Sequence, residues 1–203
     1  MTATNTSRTA GANGRLWGMR ARDWADLQEG GFRAGYVAAL EHAAVGAGTR
    51  YLDAGCGSGM AAALAADRGA QVTGIDASDS LLQIARDRVP QGAFQTGDLE
   101  DLPFGDDSFD VVVGFNSFQY AGNPGAALAQ ARRVTAPSGT VVIMTWGEPD
   151  GMEAAAIVGA LKPLLPPPPP GAPGPFALSD EARLRAFAAE AGLTPLEVVD
   201  VSS

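Results

Sequence analysis

The chain has 203 residues, 46% of them hydrophobic and 18% charged, which suits one globular domain with a sizeable core and argues against two independent ones. A net charge of −9, with no basic cluster larger than Arg132-Arg133, leaves no cationic face for phosphates, so neither nucleic acid nor an anionic membrane surface is expected as a partner. No run approaches the roughly 18 apolar residues of a membrane span, and the single Cys56 excludes an internal disulfide and suits a reducing, cytoplasmic compartment.

Residues 1–15 are small and polar without an apolar stretch, and read as a disordered tail, not a signal peptide. Two helices are expected next, Leu16 to Leu27 and Phe32 to Ala44, separated by Gly30-Gly31. Trp17 and Trp24 stand seven residues apart, two helical turns, so one face carries both. They serve either as core packing or as part of a binding wall. The lone histidine, His42, falls late in the second helix and reads as a surface or packing residue.

From Tyr51 the pattern becomes regular. A strand ending at Asp53 runs into Y-L-D-A-G-C-G-S-G and an Ala-rich helix from about Gly57 to Arg68, closed by Gly69 at the left-handed position past its end. Strands follow at Gln71 to Asp76, Ala93 to Thr96, Phe109 to Phe115 and Thr140 to Trp146. The Val111-Val112-Val113 run marks a strand buried on both faces. Between them lie a helix from Asp79 to Val89 capped by Ser78 and stopped by Pro90, and one opened by Asn123-Pro124 that reaches about Ala136. This alternation predicts an α/β fold: a Rossmann-like, doubly wound, mostly parallel sheet with helices on both faces. Ligands should bind beyond the carboxyl ends of the strands, beside the first.

Glycines 55, 57 and 59 let a ligand approach the main chain, and the N–H groups opening the next helix can receive a polar or anionic group. The dinucleotide fingerprint G-x-G-x-x-G would need glycine at 60, where Met60 stands. Asp76 ends the second strand 21 residues after Gly55, where a carboxylate can accept from both hydroxyls of a ribose. A helix cap is the plainer reading of such a residue.

The D-x-G-x-G-x-G turn, continued by D-L-E-D-L-P-F and D-D-S-F-D-V-V-V, resembles the class I S-adenosylmethionine-dependent methyltransferases, in the small-molecule subgroup that includes quinone-biosynthesis enzymes. The resemblance covers Tyr51 to about Gly147. It implies S-adenosylmethionine as cofactor and S-adenosylhomocysteine as product. It also implies a cofactor site of Asp53, Ala54, Gly55, Gly57, Asp76, Ala77, Asp98, Leu99, Phe115 and Asn116, in which Asp53 holds the methionine ammonium, commonly through water, Asp98 accepts from the adenine amino group and the Leu99 N–H meets the ring. Asn116 and Gln119 either touch the methionine end or the acceptor, or cap a strand end. Residues 16–48 are similar to the helical cap of these enzymes, and Trp17, Trp24, Gln119, Tyr120 and Trp146 are the candidate acceptor contacts. F-N-S-F-Q-Y at 115–120 departs from the [ND]-P-P-[FY] motif of base and amide N-methyltransferases, which points to a small-molecule acceptor. No metal site and no general base is identified.

Residues 49–203 are thus read as one Rossmann-like domain carrying a Pro-rich insert at 163–176, either a strap over the substrate mouth or a linker. A helix at Met152 to Leu161, a last helix at Asp180 to Ala191 capped by Ser179, and a sixth strand at Leu196 to Val201 complete the reading. The family's seventh, antiparallel strand, which lies between strands five and six, is not found before Ser203: either the sequence is truncated or something else pairs the free edge, which invites homo-oligomers. Two other functions compete with methyl transfer: cofactor binding without catalysis, and a nicotinamide-dependent oxidoreductase, for which the glycine spacing is wrong and only Lys162 offers an acid/base lysine.

Overall fold

The computed structural model describes residues 8–148 and 174–202. Five parallel strands form one sheet: β1 (Arg50–Ala54), β2 (Gln71–Asp76), β3 (Ala93–Thr96), β4 (Phe109–Phe115) and β5 (Thr135–Met144), in the order β3-β2-β1-β4-β5. The first three strands step outward in one direction and β4 returns to the other side of β1, so the order reverses between β1 and β4. That reversal splays the following loops apart and leaves a crevice at the strand ends.

Side-chain alternation along β1 and β4 divides the core. Tyr51, Val111, Val113 and Phe115 pack on one face with α3 (Arg33–His42) and α4 (Met60–Ala66); Leu52, Ala54 and Val112 pack on the other against α6 (Pro124–Val134). Phe109, odd-numbered like Val111, nevertheless joins the Val112 face. At the same place the register shifts: Phe109 pairs with Thr135 but Val111 with Thr140, so residues 136–139 bulge from β5. This bulge is the Pro137-Ser138-Gly139 turn of the sequence.

Helix caps match their chemistry. The Ser78 hydroxyl accepts from Leu81 N at 3.4 Å to open α5 (Asp79–Arg88), and Asn123 Oδ1 accepts from Ala126 N at 3.1 Å with Pro124 in the first turn of α6. The last helix, α7 (Glu181–Glu190), is capped by Asp180, which accepts from Arg183 N at 2.8 Å, and not by Ser179. Arg133 donates to the Leu102 and Phe104 carbonyls at 2.9 and 2.8 Å and pairs with Asp106 at 2.7 Å, so the basic pair at 132–133 stitches a loop in place.

Four expectations are corrected. Residues 10–15 are helical: α1 (Ala10–Gly18) starts inside the stretch read as tail. It lacks an apolar stripe and is held by tertiary contacts, with Thr9 Oγ1 and Asn13 Nδ2 donating to the Tyr120 carbonyl at 3.0 and 2.9 Å. The helix expected over Leu16 to Leu27 is broken. The chain restarts at α2 (Ala21–Asp23), widens into a π turn at Trp24–Gln28, then tightens into a 3-10 turn at Glu29–Phe32 that leads straight into α3. This irregularity lets Ala21 and Ala25 pack on Leu81 and Ile84 of α5. The Ala-rich helix is shorter than the expected Gly57 to Arg68, because the glycine turn occupies its start. Leu196 to Val201 forms no strand, since no described strand fills the place next to β5 where the family's sheet continues, and a lone strand has no ladder to join. The helix expected at 152–161 and most of the Pro-rich insert lie outside the described residues. Among the described residues no helix is long and apolar enough to cross a membrane.

Gly59 is where turn meets packing. Its φ is +82°, and a Cβ placed there would sit 2.8 Å from Ala85 Cβ and 2.9 Å from Ala85 Cα. Gly59→Ala is expected to lower stability by about 2–4 kcal/mol, the sum of left-handed strain and overpacking. Urea unfolding of the variant measures the loss, and a midpoint within error of the parent protein's would show that α5 yields at this contact.

Candidate functional site

The crevice between the ends of β1, β2 and β4 holds a cavity of about 130 Å³ that opens to solvent at its mouth. Its floor is the turn after β1. Gly57, at φ +52°, has nothing nearer than Trp24 Nε1, 3.8 Å from where a Cβ would stand, so its main chain faces open space. Gly55 and Asn116, the latter left-handed at φ +49°, line the same wall; the Asn116 amide donates to the Met144 carbonyl at 2.8 Å. Such a non-glycine outlier at the end of β4 is held by the β4–β5 ladder and marks a shaped site.

Three carboxyl groups set the electrostatics. Asp76, at the end of β2, accepts from Gly57 N at 2.9 Å and Ser78 N at 2.8 Å. Burial raises its carboxyl above the ordinary carboxylate range, while the surrounding backbone N–H groups pull it back. Asp53 is 1% exposed, and its Oδ2 has no hydrogen-bond partner. Burial, reinforced by the negative charges of Asp76 and Glu29, pushes the Asp53 carboxyl up to about 8. Asp98 lines the far end, where its Oδ1 accepts from Glu100 N at 3.0 Å and Arg8 Nε lies 3.9 Å from its Oδ2.

The opposite wall is aromatic. Trp17 meets Trp24 edge-on with centroids 5.2 Å apart, and also meets Tyr120 at 6.0 Å. Phe32 contacts Trp24, Tyr36 and Trp146 at 5.6, 6.3 and 5.1 Å, and Tyr36 lies 4.9 Å from Phe115. Burial pushes the Tyr36 and Tyr120 phenols upward, so both are neutral donors near pH 7. Trp146 Nε1 is buried beside the Tyr120 hydroxyl, outside ideal hydrogen-bond geometry but near enough to offset part of the rise that burial gives the phenol. Burial likewise raises the Cys56 thiol, which leaves it a poor nucleophile.

The cleft brings together Gly55, Gly57, Asp76, Ala77, Asp98, Leu99, Phe115 and Asn116 from the strand ends with Trp17, Trp24, Tyr120 and Trp146 from the cap and the sheet's far side. Three expected residues do not line it. Asp53 lies beneath the glycine turn, and Ala54 is fully buried on the other face, where its carbonyl accepts from Ser117 Oγ at 2.7 Å. Gln119 is buried and turns back to donate to Asn116 Oδ1 at 3.3 Å, so its contribution to the wall passes through Asn116. His42 is exposed, with Nδ1 against the Ala38 carbonyl, away from the cleft. Sequence reasoning missed Thr9, Asn13, Tyr36 and Ser117 in the lining. Tyr36 follows an aromatic at i−4, Phe32, but nothing in that spacing separates a cleft residue from a core one.

An α/β sheet with a glycine turn, a strand-end acid and a cleft at its switch point defines a nucleotide-cofactor-binding domain. Residues 52–143 match the family described as a methyltransferase domain. A malonyl-[acyl-carrier protein] O-methyltransferase from Erwinia pyrifoliae is 39% identical over 117 residues, 58% of this chain and 45% of that protein. A demethylmenaquinone methyltransferase from Renibacterium salmoninarum is 38% identical over 108 residues, 52% and 46% of the two chains. Among solved structures, a complex between the Haloferax volcanii Trm112 methyltransferase activator and a putative methyltransferase is similar, with a TM-score of 0.68 and 25% identity over 94% of this chain and 79% of that one. The chain spans less than half the length of these curated relatives. The matched segment, just under half of the chain, is thus similar to methyltransferases, whose methyl-donating cofactor is S-adenosylmethionine.

The site has features that fit this cofactor: an open glycine turn, the Asp76 carboxylate at its rim and the unpartnered, buried Asp53 Oδ2. A pH dependence follows from Asp53. Its native value near 8 lies above the roughly 3.9 of an unfolded aspartate, so the folded protein keeps a proton that the unfolded chain has lost between about pH 4 and 8. Stability should fall as pH rises through that window and level off above it. Urea unfolding at pH 5 and pH 8 tests this: the decline should be smaller in Asp53→Asn than in the parent protein, and equal declines would place the proton elsewhere.

Proposed function

We propose that the protein transfers the methyl group of S-adenosylmethionine to a small, planar acceptor held against the aromatic wall. The observation that carries this reading is the meeting, in one cleft, of the glycine turn and Asp76 with Trp17, Trp24, Tyr36, Tyr120 and Trp146. On this reading Asp76 accepts from the ribose hydroxyls, Asp98 and the Leu99 N–H take the adenine edge, and the Gly57 turn receives the methionine end. Asp53, beneath the turn, answers the methionine ammonium. When bound, the sulfonium supplies an electrophilic methyl group without help from a protein acid.

The residues' task is then positioning. Holding reacting atoms in line at about 3–3.5 Å can supply roughly 7–11 kcal/mol of the barrier. The aromatic faces suit a cationic sulfonium and a flat acceptor alike.

Charge narrows the acceptor class. No Lys, Arg or His side chain lines the cleft among the described residues, and the segment 149–173 contains one basic residue, Lys162. A site that takes up a carboxylate or phosphate ordinarily answers it with a cation. The acceptor is therefore a neutral or basic planar molecule, methylated on oxygen, nitrogen or an acidic carbon.

Calorimetric titration with S-adenosylmethionine, with NADH as the control, should give binding for the former alone. Asp76→Ala should cost roughly 1.5–3 kcal/mol of that affinity, the worth of hydrogen bonds to a charged group. Unchanged affinity would remove Asp76 from the site. With labelled methyl donor, neutral phenols and aromatic amines should accept label in preference to aryl carboxylates, and carboxylate acceptors working best would overturn the acceptor class.

A further inference from the structure

The cap is joined to the glycine turn by an ion pair, between the buried Glu29 and the partly buried Arg88, that nothing in the methyl-transfer reading uses. Glu29 opens the 3-10 turn of the cap and is 2% exposed. Its Oε1 accepts from Met60 N at 3.3 Å, the first amide of α4 beyond the glycines. Its Oε2 pairs with Arg88, from the last turn of α5. Arg88 also donates to the Ser58 carbonyl, inside the glycine turn, at 3.0 Å, and to the Ala25 carbonyl, inside the π turn, at 3.3 Å.

Two side chains therefore hold three backbone points, Ala25 O on the cap and Ser58 O and Met60 N on the cofactor turn, with Glu29 itself rooted in the cap. Between these fastenings Trp24 Nε1 lies 3.8 Å from the space above Gly57. A buried ion pair adds little net stability over an apolar pair of the same volume, because desolvation offsets the Coulomb attraction. What such a pair supplies here is direction, since each charged group needs its hydrogen bonds at fixed angles. A π turn is an uncommon conformation, and it sits one residue before Glu29.

We propose that Glu29 and Arg88 are positioning residues that lock the cap's irregular turns to the glycine turn and set the amides of Gly57 to Met60, with Trp24 above them, in the geometry that receives the cofactor. They act through the backbone and touch neither cofactor nor acceptor. The proposal rests on the cofactor reading for its functional consequence, but its structural content can be tested without any ligand.

The decisive variant is the double change Glu29→Leu with Arg88→Met, which removes both charges together and keeps the interior filled. It should melt within a few degrees of the parent protein, the usual result of replacing a buried pair by apolar residues. Hydrogen exchange in the peptide spanning residues 55–61 should nevertheless accelerate at least tenfold, and S-adenosylmethionine affinity should fall at least tenfold. Glu29→Gln, which keeps the shape and one acceptor for Met60 N, should fold and show a smaller change in both readouts. Exchange at 55–61 unaltered in both variants would overturn the proposal. Should the parent protein itself fail to bind S-adenosylmethionine, the cofactor reading falls, while the exchange comparison still decides whether the pair positions the turn.

Discussion

The close approach of the turn after β1 to α5 governs the layout of this protein. Ala85 lies so near Gly59 that no side chain fits, which fixes where α4 can begin and how its first amides point. The same turn rests on the edge of β2, where the Gly55 and Cys56 amides both donate to the Ile75 carbonyl at 2.8 and 3.1 Å. With Asp76 capping Gly57 from the next residue of β2, strand end, turn and helix start behave as one rigid unit. Sheet order then supplies the opening: β4 lies on the other side of β1 from β2, so the loops diverge above this unit and nothing from the sheet covers it.

The cap covers it instead, and its irregularity serves that purpose. A straight helix would place Ala21, Trp24 and Ala25 in regular succession; the π turn and the 3-10 turn allow the alanines to bury against α5 while the indole of Trp24 reaches the cleft. α1 reaches further and closes the far end beside Asp98 through Thr9 and Asn13 on the Tyr120 carbonyl. Its contact with the sheet is close: a Cβ on Gly14 would lie 2.2 Å from the Ala77 carbonyl oxygen. The ligand side of the site thus comes from the sheet, and the enclosing side from a segment whose conformation depends on the sheet being formed.

Electrostatically the cleft is set up for a ligand bearing positive charge. Asp76 and Glu29 lie close enough to Asp53 to raise its proton affinity, and Arg88, the basic partner of Glu29, spends its other hydrogen bonds on the cap and the turn. Burial keeps the tyrosines neutral, so the aromatic wall presents faces and hydroxyl donors without adding charge. Positive charge on a ligand would relieve the repulsion that the folded protein otherwise meets by holding a proton on Asp53.

The local signals in the sequence were sufficient for most of the sheet: three strands, at Gln71–Asp76, Ala93–Thr96 and Phe109–Phe115, begin and end at the residues their alternation and flanking turns indicate, whereas the fifth, expected at Thr140 to Trp146 after a helix reaching about Ala136, runs Thr135–Met144. Strand periodicity, the Asn123 and Ser78 caps and the glycine turn are short-range properties, and short-range chemistry decides them. The glycine spacing and the acids at strand ends likewise made the cofactor class legible, because backbone geometry at a βα turn constrains residue type at each position. Tertiary contacts decided the rest. α1 is held by contacts with Tyr120 and Ala77, and the run from Ala21 to Phe32 takes π and 3-10 turns where Ala21 and Ala25 pack on α5 and Glu29 bonds both Arg88 and Met60. Leu196 to Val201 has the alternation of a strand but no neighbouring edge, and a strand exists only with a partner to bond.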